Sequence, residues 1–165
     1  MSSVAPTRPY AAKLLTPFAV LGIRTVGGVV TGIEFLPPDA PPLAPSDTLG
    51  RRVADQIARY LADPHFRFTL PLATADTPFR QRVRAALMGI PIGESRTYGE
   101  LARVLHTAPR AVGGACGANT LAVVVPCHRV VGSQGSLGGF MHATTDEPIA
   151  IKRWLLRHEG YRFGA

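Results

Sequence analysis

Three neighbours in the run Pro126-Cys127-His128-Arg129 carry side chains that could do chemistry together. A thiol is a modest nucleophile until it loses its proton; an imidazole can take that proton and a guanidinium can favour the anion. Pro126 removes a backbone donor and stiffens the approach to the thiol. Two considerations oppose this reading. A free cysteine is more often a small buried hydrophobe than a nucleophile, and neighbours on an extended chain point to opposite sides. The Cys127–His128 pair therefore works only if the chain turns there. The second cysteine, Cys116, lies in a glycine-rich stretch and reads as packing. There is no C-x-x-C pair and no zinc-finger spacing of cysteine and histidine, so neither a metal site nor a cofactor is expected. A disulfide between the two cysteines is not expected in a reducing compartment.

The surrounding elements must hold these side chains in place. The chain has 165 residues, 46% of them hydrophobic, enough for a real core in one domain or two small ones. Residues 18–24 read as a strand with Ala19, Leu21 and Ile23 on one face; Val26-Gly27-Gly28 marks a turn, and 29–35 reads as the returning strand. A proline-rich loop follows. Ser46 or Asp47 then opens a helix whose apolar stripe, Leu49, Val53, Ile57 and Leu61, needs a sheet to pack on. Phe66, Phe68 and Leu70 alternate as a third strand. Residues 72–76 read as a linker, which divides the chain into an α/β domain at 1–76 and a mainly helical domain at 77–165, an α+β arrangement overall.

In the second part, Thr77-Pro78 caps and starts a helix that buries Phe79, Val83, Ala86 and Leu87. Thr97-Tyr98-Gly99-Glu100 fits a capping box. It starts a short helix to about Leu105, and a second runs over 110–118, together the outline of a helix-turn-helix. That second helix carries Ala111, Gly113, Gly114, Ala115, Gly117 and Ala118. Glycine costs helix stability, so either its backbone packs tightly in the core or it is approached closely by something large and flat. The apolar run 121–125 reads as buried and extended, delivering Cys127 to its end. A glycine-rich loop follows, and Asp146-Glu147-Pro148 opens a last helix with Ile151, Trp154 and Leu155 facing inward and Gly160 closing it.

The formal charge is +7, from 18 Lys+Arg against 11 Asp+Glu, with lysine only at Lys13 and Lys152. Such a balance suits a polyanionic partner, and equally a solvated surface rich in arginine. No apolar run approaches the roughly 20 residues that membrane spanning needs, so no membrane partner is expected. The opening run lacks the regions of a signal peptide, which makes the cytoplasm the expected location.

The run Val125-Pro126-Cys127-His128-Arg129-Val130-Val131 resembles the active-site motif of the O6-alkylguanine-DNA alkyltransferases, also called methylated-DNA–protein-cysteine methyltransferases. The resemblance extends over residues 77–160. Ile90-Pro91-Ile92-Gly93 and Thr97-Tyr98-Gly99-Glu100-Leu101-Ala102 are similar to the family's first DNA-binding helix, and Arg110-Ala111-Val112-Gly113-Gly114-Ala115 to its recognition helix. Asn119 stands where the family has its hinge asparagine. Residues 152–160, Lys152 to Gly160, are similar to its C-terminal signature. The earlier part resembles the family's variable N-terminal domain in outline only.

The resemblance implies a function and roles. The N-terminal domain would be ribonuclease H-like. Cys127 would accept the alkyl group from O6-alkylguanine, or from O4-alkylthymine, in a single-turnover reaction that leaves a thioether. His128 would act as base through a water, oriented by Glu159, and Asn119 would hold the turn. A carboxylate near a helix C-terminus opposes the helix dipole, which favours a specific role for Glu159 over that of a surface charge. Tyr98 would polarise or protonate the leaving guanine. Double-stranded DNA would bind through its minor groove against Thr97, Arg110, Ala111, Gly113 and Gly114. The alkylated base would be flipped out and Arg110 would fill its place. Val130, Gly138 and Phe140 would line the base pocket, Phe140 standing where a tyrosine is usual. The protein would act as a monomer. Three rivals are weaker: lesion-binding relatives lack the acceptor cysteine, a redox regulator would need a resolving cysteine, and a cysteine hydrolase would need an oxyanion-hole motif.

Overall fold

The fold is that of a computed structural model, which describes residues 10–138 and 146–163. Its first sheet is a meander of three antiparallel strands, β1 (Ala12–Leu15), β2 (Val20–Val26) and β3 (Val29–Leu36), in that order. Between β2 and β3, Gly27 and Gly28 both adopt positive φ, 57° and 83°, the geometry that a two-residue hairpin of this twist needs. Sequence reading finds β2 and β3 within a residue or two but misses β1, which is four residues long and has no alternation to betray it.

The third strand expected around Phe66, Phe68 and Leu70 does not form. The backbone N–H of Thr69 donates to the Gln56 side-chain oxygen at 2.9 Å rather than to a ladder. The alternating rings instead stack on the neighbouring helix: Phe68 lies 5.5 Å from Tyr60 and 5.7 Å from Phe66. Only Leu72 reaches the sheet, in a parallel bridge to Val30. That helix, α1 (Thr48–Ala62), is capped by Asp47, whose side chain accepts from the N–H of Gly50, and it buries Val53, Ile57 and Tyr60.

The second part is mainly helical. Thr77 caps α2 (Pro78–Met88) by accepting from the Arg80 N–H. The two-residue β4 (Arg96–Thr97) leads into α3 (Tyr98–Val104), whose capping box is present in full: Thr97 accepts from the Glu100 N–H and Glu100 accepts from the Thr97 N–H. Leu105 to Ala108 joins α3 to α4 (Pro109–Gly117), and the two helices pack together. The last helix is α5 (Asp146–His158), with Ile151, Leu155 and Leu156 buried. The two parts share one core that includes Leu21, Ile33, Val125 and Leu155. A backbone bond from the Ile33 N–H to the Thr120 carbonyl, 2.9 Å, ties β3 to the segment leading to Cys127.

That segment is buried as expected but not extended. Residues 122–124 form turns, with Val124 N–H donating to Ala122 O at 2.8 Å and Val125 N–H to Leu121 O at 2.9 Å. Val123 sits at φ 72°, a left-handed conformation costly for a β-branched residue.

Candidate active site

Asn119 explains the coiled approach. Its side-chain oxygen accepts from the Leu121 N–H at 3.0 Å, and its amide nitrogen donates to Val125 O at 3.1 Å and to Cys127 Sγ at 3.2 Å. One side chain thus closes the loop and touches the thiol. Cys127–Arg129 then form a single 3-10 turn. The chain thus turns at Cys127 and His128, where a straight strand would send the two side chains to opposite sides. Immediately afterwards β5 (Val130–Val131) pairs in parallel with β4, Val130 opposite Arg96 and Val131 opposite Thr97. That short ladder sets the start of α3, and with it Tyr98, beside the reactive turn.

Cys127 and His128 are fully enclosed, at 3% and 0% exposure. Burial pushes the Cys127 thiol up, while the Asn119 hydrogen bond and the Lys152 charge pull it back. Arg129, which sequence reading credits with favouring the thiolate, does something else. Its Nε donates to Glu159 Oε1 at 2.8 Å, its Nη2 to Glu159 Oε2 at 3.0 Å and its Nη1 to Ile90 O at 2.8 Å. The fork is spent on the carboxylate, and Lys152 supplies the positive field at sulfur.

Glu159 is only 4% exposed, so it is no surface charge. Burial alone would raise it, but the hydrogen bonds from His128 and Arg129, with the Arg129 charge, win and hold it well below the usual carboxylate range. Its Oε2 lies 2.9 Å from His128 Nε2. Burial lowers His128, and Arg129 and Lys152 add to that, against the pull of Glu159. The imidazole is therefore neutral at neutral pH. With Nε2 facing a carboxylate, the proton belongs on Nε2, which leaves Nδ1 with a free lone pair. Nδ1 is buried and has no hydrogen-bond partner among the described residues. A neutral imidazole so oriented can accept a proton at Nδ1.

Tyr98 lies across the site. Burial first, then the neighbouring Cys116 and Cys127, push its hydroxyl up to about 12, so it stays protonated and can donate. Lys152 stands 5.8 Å from the Tyr98 ring centre and donates to Leu137 O at 2.6 Å. It is completely buried, and that burial brings its ammonium down to about 8. Gly138 closes over the same ring. It has φ 70°, and a Cβ there would fall 2.9 Å from Tyr98 Cε2, so both backbone and space demand glycine. Cys116 packs into this cluster, its thiol pushed up to about 12 by burial.

The exposed side of α4 carries Arg110 and Gly114, one turn apart, with Ala111 and Gly113 half-buried and Thr97 nearby at the head of α3. Gly113 rests near the Tyr98 ring, but a Cβ on Gly114 would meet nothing within 4 Å. Tight packing therefore does not explain Gly114. The structure brings Cys127, His128, Glu159, Asn119 and Tyr98 together, with Val130 and Gly138 at their edges. Phe140 lies outside the described residues. Sequence reading missed three contributors: Arg129 as the carboxylate's clamp, Lys152 as the charge near sulfur, and Tyr60 at Glu159 from 99 residues away. Only Lys152 had a signal, as one of two lysines in an arginine-rich chain and the one set in an otherwise apolar helix face. Among the described residues no group of three or more potential metal-binding side chains occurs, and no helix is long and apolar enough to cross a membrane.

Residues 78–161 match the family model described as 6-O-methylguanine DNA methyltransferase, DNA binding domain. The chain is 46% identical over 115 residues to the methylated-DNA–protein-cysteine methyltransferase of Salmonella typhimurium, a match covering 68% of this chain and 63% of that relative's length. It is 37% identical over 131 residues to that of Mycobacterium bovis, covering 76% of this chain and 79% of the relative. Mycobacterium tuberculosis OGT, solved in complex with DNA, superposes with a TM-score of 0.75 at 36% identity, covering 89% of this chain and 90% of that one. With the reactive turn, Tyr98 and Glu159 all inside the matched region, this chain belongs to the methylated-DNA–protein-cysteine methyltransferase family.

Proposed function

We propose that this chain repairs alkylated DNA by direct reversal, moving the alkyl group of O6-alkylguanine irreversibly to Cys127. The observation that carries the reading is the buried thiol touched by Asn119 at 3.2 Å, in the same turn as a histidine backed by Glu159 at 2.9 Å. In the reaction the thiol proton passes to His128 Nδ1 by way of a water, as sulfur attacks the alkyl carbon. A carbon–sulfur bond forms and the carbon–O6 bond breaks. The electron pair goes to the guanine, whose growing charge Tyr98 meets with its hydroxyl proton. The imidazolium is stabilised by Glu159. The resting thiol is held protonated by burial, so it is spared from other electrophiles until a base is in place. A thioether resists exchange, and each molecule acts once. O4-alkylthymine is a second candidate substrate.

The damaged oxygen lies inside the duplex stack, so the base must be flipped out. We assign α3 and α4 to a helix-turn-helix that uses α4 in the minor groove. The open Gly114 surface suits close approach, and Arg110 is exposed to enter the vacated stack. A relative solved with DNA supports a DNA partner, and the net charge of +7 suits phosphate contacts that ignore sequence. Val130, Gly138 and Phe140 would wall the base pocket. Residues 1–76 form the ribonuclease H-like domain and 77–165 the DNA-binding and transfer domain, in a cytoplasmic monomer. Titrating an O6-methylguanine duplex with protein tests the reading: restored guanine rises one for one with protein and then stops. Restoration past equivalence, or a lesion bound but unchanged, overturns it. Arg110→Ala is expected to slow repair in duplex much more than attack on free O6-benzylguanine; equal losses would remove its role in the stack.

A further inference from the structure

We propose that Tyr60, on α1 of the N-terminal part, is a positioning residue for the transfer site: its hydroxyl holds Glu159 Oε2 and so sets how strongly that carboxylate backs His128. The proposal rests on the reading of His128 as the base. The Tyr60 hydroxyl donates to Glu159 Oε2 at 2.8 Å, and both residues are buried, at 2% and 4% exposure. Burial and the adjacent carboxylate keep the phenol protonated, so it can only donate.

The same oxygen also receives His128 Nε2 at 2.9 Å and Arg129 Nη2 at 3.0 Å. Three donors therefore share one atom, while Oε1 receives only Arg129 Nε at 2.8 Å among the described residues. What Tyr60 takes from Oε2 is withdrawn from His128. The phenol is aimed by its surroundings: the Tyr60 carbonyl is 2.7 Å from His158 Nε2, and its ring packs against His158 at 5.0 Å and Phe68 at 5.5 Å. Sheet-side helix and active turn are thereby locked through one carboxylate.

The charged and titratable groups around the pair are Tyr60 from α1, Arg129 and Cys127 from the reactive turn, and Lys152 and His158 from α5. Tyr60 can be edited at a single atom without altering charge and without touching the thiol, the imidazole or the carboxylate. Tyr60→Phe frees Oε2 for His128, stabilises the imidazolium, and moves the acid limb of the transfer rate to higher pH by about half a unit or more. A fluorinated tyrosine at position 60 donates more strongly and moves the limb the other way, with the fold's packing preserved even should the phenylalanine variant fail to fold. Single-turnover methyl transfer from an O6-methylguanine duplex, followed across pH in the full chain, reads both shifts. Opposite displacements are expected. An unmoved limb overturns the proposal, as does a loss uniform across pH, which marks mere packing. A wild-type chain that transfers no methyl overturns the functional reading along with it; an active wild type with unmoved limbs overturns this proposal alone.

Discussion

Cys127 is surrounded by groups that oppose and assist its ionisation, and burial, which opposes it, outweighs the rest. Burial disfavours the thiolate; the Asn119 amide and the Lys152 ammonium favour it. Of the two helpers, Asn119 also fixes the backbone, so its loss acts twice. Asn119→Ala is predicted to raise the Cys127 pKa, seen as a shift to higher pH in the alkylation rate of the thiol by iodoacetamide. It is also predicted to cost about 1–3 kcal/mol in denaturant unfolding, because Val125 O and the Leu121 N–H lose their partner. An unchanged alkylation profile would remove Asn119 from the chemistry and leave it a purely structural hinge. Much at this scale was legible beforehand, since Cys127, His128, Glu159, Tyr98 and Asn119 all stand in motifs. The role of Arg129 was not. Adjacent positive charge in sequence suggested help for the thiolate, whereas the 3-10 turn swings the guanidinium to Glu159 and Ile90. Sequence proximity gives no direction in space.

The elements place chemistry by short pairings. The parallel ladder between β4 and β5 is only two residues a strand, yet it fixes Tyr98 against the turn of Cys127. The capping box at Thr97 was readable because a cap is a local bargain between residues three apart. The missing strand at Phe66–Leu70 and the coil at 121–125 were unreadable for the opposite reason. Each depends on a side chain outside the pattern itself, Gln56 thirteen residues away from Thr69 in one case and Asn119 just ahead of the run in the other. On α4 the argument concerns what is absent. A Cβ at Gly114 meets no protein atom within 4 Å, so Gly114→Ala is predicted to stabilise the fold by up to about 1 kcal/mol. Gly114→Leu is predicted to leave melting and the attack on free O6-benzylguanine little changed while weakening duplex binding at least severalfold, measured by fluorescence anisotropy. Undiminished duplex affinity in the leucine variant would remove α4 from the interface.

Across the whole molecule the two parts meet at one buried network, and that network makes the fold sensitive to acid. Folded His128 is held down, whereas in the unfolded chain histidine titrates near about 6.5. Below that pH the unfolded chain takes up a proton that the folded one refuses, so stability falls. Glu159 is also held down; its unfolded counterpart protonates near about 4.3, and stability is lost again as pH falls below that. Both contributions are fully present at neutral pH. Calorimetric melting temperatures are predicted to decline from about pH 7 to about pH 4, with the upper part of the decline reduced in His128→Gln; a flat profile would contradict the buried neutral imidazole. The bond between Tyr60 and Glu159 that spans the two parts could not be read from either part alone, because Tyr60 looks ordinary in α1 and nothing near Glu159 in the sequence points to it. The claim on which everything rests is that Cys127 accepts the alkyl group. Peptide mapping by mass spectrometry, after mixing the protein with an equimolar O6-methylguanine duplex, tests it most directly. A single methyl on Cys127 and none on Cys116 is the predicted result; an unmodified Cys127 with the methyl still on the DNA, or a methyl on Cys116 instead, would contradict it.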